Sequence, residues 1–134
     1  MARRFVVSGT MYIQDYETFG DNEHELRPFS GEAHLDDDQL EQVIDIEEGT
    51  GGEIRTVLEI NARLLSNENI RVEGSCTLWE GTSETTTDFG GQRHFNFIVK
   101  KGRTVNYKTK VMNEAEDEPE DFVRVMFTCK NAAA

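Results

Sequence analysis

Basic residues are few in this 134-residue sequence: 14 Lys and Arg stand against 26 Asp and Glu, for a net charge of −12 and a pI near 4.6. Such a field repels polyanions, which argues first against nucleic acid and anionic membranes as direct partners. Apolar runs are short, and none approaches the roughly 18 residues of a membrane-spanning helix. The basic start, Met1 to Gly9, is followed by no apolar stretch long enough for a signal peptide. A cytoplasmic protein is expected, a trimmed secreted one being the alternative. Cysteine is limited to Cys76 and Cys129, both in apolar rows, and these read as buried free thiols rather than a disulfide. His24, His34 and His94 share no metal-ligand spacing and are expected at the surface. Catalytic signatures are missing too. No Ser, Cys or Thr stands in a nucleophile elbow or beside a patterned His, and carboxylates are too numerous to single out an acid and base. No enzyme is expected.

What is present is enough to fold. Eight Phe, one Trp and many Val and Ile give 37% hydrophobic residues. A chain of this length buries roughly two-thirds of its unfolded surface, so residues 1–134 are expected to form one domain. The chain also echoes itself at 65 residues. Phe5-Val-Val-Ser-Gly-Thr-Met-Tyr-Ile-Gln-Asp15 matches Ile70-Arg-Val-Glu-Gly-Ser-Cys-Thr-Leu-Trp-Glu80 in pattern, with Gly9 on Gly74 and Thr10 on Ser75. Two similar halves, about 4–65 and 69–131, are expected to pack face to face.

Period-2 alternation dominates, and helical periodicity is nearly absent. Strands are expected at about 4–14, 25–35, 40–46, 53–64, from 70, around 95–99, from 105 and from 123. Pro28 places the second at an edge or bulge, since it cannot donate to a ladder. Residues 36–43 have a short helical turn as an alternative. Lys100-Lys101-Gly102 reads as a hairpin turn, and residues from Asn131 onward as a frayed tail. Eight short strands with turn signals between them predict an all-β fold, an antiparallel eight-stranded β-sandwich of Greek-key or jelly-roll-like wiring.

That strand count sorts the charge. Connections after odd strands gather at one end, and the segments 15–23, 47–52, 80–93 and 113–121 hold 15 of the 26 acids but only one base, Arg93. Held close, like charges repel, and a hard divalent cation offsets the cost. Calcium takes carboxylate, amide and carbonyl oxygens in loose geometry. The candidate ligands are Asp15, Glu17, Asp21, Asn22 and Glu23 in one half, with Glu80, Glu84 and Asp88 in the equivalent loop of the other. No EF-hand loop or glycine-aspartate nonapeptide repeat is present. The run 113–121 reads as plain solvated loop, and acidic loops also serve solubility alone.

The arrangement resembles calcium-dependent β-sandwich modules in architecture and loop chemistry. That likeness implies a non-enzymatic module that binds calcium at one end and docks a protein, glycan or phospholipid headgroup there. The alternative is a metal-free structural or interaction module, self-assembling in one version, whose acidic pole meets a basic partner directly. Tyr12 and Trp79 lie on the outer strand faces, where an aromatic covers the sheet or stacks on a ligand.

Overall fold

The computed structural model describes residues 2–16, 20, 22–50, 54–80, 88–114 and 118–134, the side chains of residues 118–120 excepted. Eight strands make up nearly all of it: β1 (Arg3–Asp15), β2 (Glu23–Leu35), β3 (Glu41–Thr50), β4 (Ile54–Leu64), β5 (Ile70–Glu80), β6 (Asp88–Val99), β7 (Thr104–Asn113) and β8 (Glu118–Ala133). They form two four-stranded antiparallel sheets, ordered β2-β1-β8-β7 and β3-β4-β5-β6, packed together as a β-sandwich. The alternation is the cause. Phe5, Val7, Met11 and Ile13 of β1 are fully buried while Arg4 and Ser8 on the opposite face are exposed. Leu58, Ile60 and Ala62 of β4 do the same from the opposing sheet. Each sheet has one apolar face, and burying both against each other makes the core.

The wiring differs from the Greek key or jelly roll expected. Each strand pairs with a sequence neighbour, β8 returns to pair with β1, and β2 lies along β3 and β6 along β7 without a shared ladder. The result is an up-and-down meander closed on itself and flattened into two layers. Its connections at 36–40, 65–69 and 100–103 are too short to carry the chain across a sheet end, which a Greek key requires.

Packing replaces the missing ladder at the β6–β7 seam. Phe95 and Phe97 of β6 meet Tyr107 of β7 at centroid distances of 5.1 and 5.3 Å, and Phe127 of β8 lies 5.4 Å from Phe95 and 5.3 Å from Tyr107. Ring contacts of this kind add to the area they bury. Gly9 and Gly74 occupy matching places beside this core. Gly9 stands opposite Phe29 and Phe127, and Gly74 opposite Phe95 and Ile60. A Cβ on either would collide with a neighbouring backbone carbonyl, of Met126 and of Glu59 respectively, so only glycine fits this approach.

Four local expectations are corrected. Residues 36–40 contain no helical turn, and β3 runs on to Thr50 because Glu47 and Glu48 pair with Val57 and Thr56 of β4. β6 begins at Asp88, well before its aromatic run, since Asp88, Phe89 and Gly91 pair with Glu80, Trp79 and Leu78 of β5. Asn131 is not a frayed tail but a fully buried residue of β8. Its side chain accepts from Arg3 Nε at 2.8 Å and donates to the carbonyls of Glu68 and Val99 at 2.9 and 3.0 Å. These bonds tie β8 to three other chain segments at the pole opposite the acidic one. Every partner is polar backbone or side chain that alternation does not mark.

Candidate functional site

β1, β3, β5 and β7 end at one pole, and β2, β4, β6 and β8 begin there. Side-chain contacts confirm the convergence from all around the sandwich: Arg27 of β2 pairs with Glu48 of β3, and Thr50 donates to Glu25 of β2 at 3.0 Å. Arg55 of β4 pairs with Glu47 at 2.8 Å, Arg93 of β6 with Glu114 at 2.8 Å, and Asn113 of β7 donates to Glu80 of β5. The backbone N–H of Tyr16 donates to Asp121 of β8 at 2.8 Å. The acid-rich connections of the sequence therefore leave from one end of the molecule.

The sequence-derived ligand candidates divide as follows. Asp15 ends β1 with its side chain fully buried, and Glu80 ends β5 half-buried at the matching place of the other half. Glu23 and Asp88 are exposed, each the cross-strand partner of the first two: Glu23 of Asp15 and Asp88 of Glu80. Asn22, half-buried, precedes β2. Glu17, Asp21 and Glu84 lie outside the described residues. Among the described residues, no three His, Cys, Asp or Glu side chains come together in a way that could hold a metal ion.

The pole contains buried polar groups that strand alternation did not nominate: Thr50, Thr77, Asn113 and Asp121. All but Thr77 extend an inward-facing row toward the pole, Val111 to Asn113 and Val123 to Asp121 among them. Carrying the period-2 pattern past the last apolar residue would have found them. Asn113 and Asp121 also correct the reading of 113–121 as plain solvated loop, because both ends of that run are buried. Asn113 is oriented by Glu80: its amide nitrogen must face the carboxylate, which points Oδ1 toward Gly90. Among the described residues that buried oxygen has no donor.

Electrostatics at the β2–β3 seam are uneven. Burial, then its hydrogen bond to Glu48, pushes the Glu25 carboxyl above the usual carboxylate range. Burial also pushes Glu48 up, but hydrogen bonds from Arg27 and Glu25 outweigh it and hold Glu48 below that range. One proton shared by the two carboxyls beside a guanidinium accounts for both directions. Trp79, half-buried at the end of β5, stacks edge-on with Phe89 at 5.7 Å, and Arg55 lies over its ring at 5.5 Å. It covers the sheet at the pole's margin.

The fold and this pole define an all-β sandwich with a charged end. No family model, no curated protein and no solved structure matches the chain. No helix long and apolar enough to cross a membrane occurs among the described residues.

Proposed function

We infer that this protein is a non-enzymatic interaction module that presents its acidic pole to a cationic protein partner. The observation that supports it most is the convergence of four strand ends and four acid-rich connections on one pole. There the described carboxylates already answer to Arg27, Arg55 and Arg93 from within the chain. A site whose acids accept guanidinium groups internally is chemically suited to accept more of them from outside. Long-range attraction then sets the association rate, and affinity falls steeply with salt.

A second reading, calcium bound through Asp15, Glu17, Asp21, Asn22, Glu23, Glu80, Glu84 and Asp88, is favoured by one observation. The Oδ1 of Asn113, without a donor among the described residues, is an oxygen of the kind calcium takes. One titration separates the readings, with Trp79 fluorescence as reporter. An oligolysine peptide is expected to bind in low salt, and Asp88→Asn with Glu114→Gln to weaken it by more than about threefold. Calcium at millimolar concentration is expected to raise the melting temperature no more than sodium chloride of equal ionic strength. A calcium increment beyond that control, lost in Asp15→Asn, would move the conclusion to the metal site. Oligolysine binding insensitive to both substitutions and to salt would end the interaction reading.

A further inference from the structure

The outer face of the β2-β1-β8-β7 sheet is basic, in a chain of net charge −12. Its cross-strand rows run from His34, Arg4 and Ala132 down to His24, Gln14, Phe122 and Met112. Within them stand Arg4, Lys108, Lys110, Arg124 and Lys130, against a single acid, Glu32, which pairs with Arg4 at 3.3 Å. Among the described residues the other four cations have no carboxylate partner. Apolar side chains lie exposed between them, Leu26 at 64% and Met126 at 49%, more than a solvated face needs.

The fold itself does not demand this charge. In matching register on the other sheet, Lys108 and Lys110 opposite Met126 and Arg124 become Asp45 and Glu47 opposite Glu59 and Val57. Each face also has a depression of about 480 Å³ over its glycine. The one over Gly9 is lined by Ser8, Thr10, Asn106, Lys108, Met126 and Thr128, and the one over Gly74 by Glu59, Asn61, Glu73 and His94 among others. The same backbone frame thus carries almost only cations on one side and, on the other, a mixture in which Asp45, Glu47, Glu59 and Glu73 stand among Arg55, Arg63 and Arg71.

We propose that this basic face receives the acidic pole of a second copy of the chain. The proposal rests on the interaction reading above and names its partner. Charge complementarity selects the occupant: among the described residues the pole presents Glu23, Asp88 and Glu114 exposed, and the face four cations without a carboxylate partner. The rings on the face argue against a nucleic acid. Arg124 lies 5.1 Å over Tyr12 and Lys110 lies 4.3 Å over Phe122, so the ring surfaces a base would stack on are already covered. Pole and face are different surfaces, so the contact is heterologous, and repeating it builds rings or open chains, according to the rotation between successive copies.

Sedimentation of the full chain tests this. Association is expected to grow with concentration at low ionic strength and to vanish near 1 M salt, where the Debye length is about 3 Å. The face variant Lys108→Glu/Lys110→Glu and the pole variant Glu23→Lys/Asp88→Lys are each expected to lose more than about tenfold in association constant. Mixed in equal amounts they retain one intact pole and one intact face between them, and are expected to form a species that stops at two chains. Thermal melts of each variant guard against loss of fold, with Lys108→Gln/Lys110→Gln as the milder change. A mixture no more associated than its components would overturn the proposal. So would loss of association in Asp45→Asn/Glu59→Gln on the opposite face, or a single-stranded oligonucleotide bound through Lys108 and Lys110. Retained oligolysine binding with no self-association would end this inference alone; loss of both would end the interaction reading with it.

Discussion

Gly9 and Gly74 carry the sharpest constraint among the described glycines. A β-carbon at either would meet a carbonyl oxygen of the next strand rather than the yielding end of a side chain. Gly9→Ala and Gly74→Ala are therefore each expected to cost about 1–3 kcal/mol by overpacking, read from urea unfolding midpoints, with Ser8→Ala near neutral as the exposed control. Their importance was legible, since the two glycines align in the 65-residue echo at a place where strands normally avoid glycine. The thiols were legible as well: Cys76 and Cys129 are free and buried, and burial pushes both up to about 12. Asn131 was not legible. It takes an inward position that in the other half belongs to the apolar Leu64, and only the three-dimensional meeting of Arg3, Glu68 and Val99 gives a polar residue reason to be there.

Among the elements, the seam between β2 and β3 is the place where pH should act. Glu25 is raised, so its contribution is complete below its unfolded pKa and is lost as pH rises through its folded value. Glu48 is lowered, so its contribution is present above its unfolded pKa and is lost as pH falls through its folded value. Melting temperatures between neutral pH and pH 3 are expected to show opposite trends for the two substitutions. Glu25→Gln should melt at or above the unsubstituted chain at neutral pH, the advantage shrinking in acid. Glu48→Gln should melt below it at neutral pH, the deficit shrinking in acid. A parallel response in both would mean that the carboxyls do not share the Arg27 site. The strands themselves were readable wherever an apolar row marked them. β3 was cut short because Glu47, Glu48, Gly49 and Thr50 look like loop, and a ladder with β4 overrides that preference. Strand order was beyond alternation alone, which assigns faces but not neighbours.

At the scale of the whole molecule, counting strands was enough to bring the acidic connections to one pole, because antiparallel hairpins leave no other arrangement. The inward polar groups behind that pole were hidden by their neighbours' hydrophobicity, and the basic face by the net charge, which averages away a segregated surface. The closed meander has one more consequence. Arg3 and Ala133 are cross-strand partners, so the start of β1 and the end of β8 lie about 5 Å apart at the backbone. The connection at 36–40 is exposed and joins two strands that share no ladder. Linking the former and opening the latter would sever no pair of the strand ladders. The strand circuit has no privileged beginning, and a permuted gene reading β3 through β8 and then β1 and β2 encodes the same pairings in a different order.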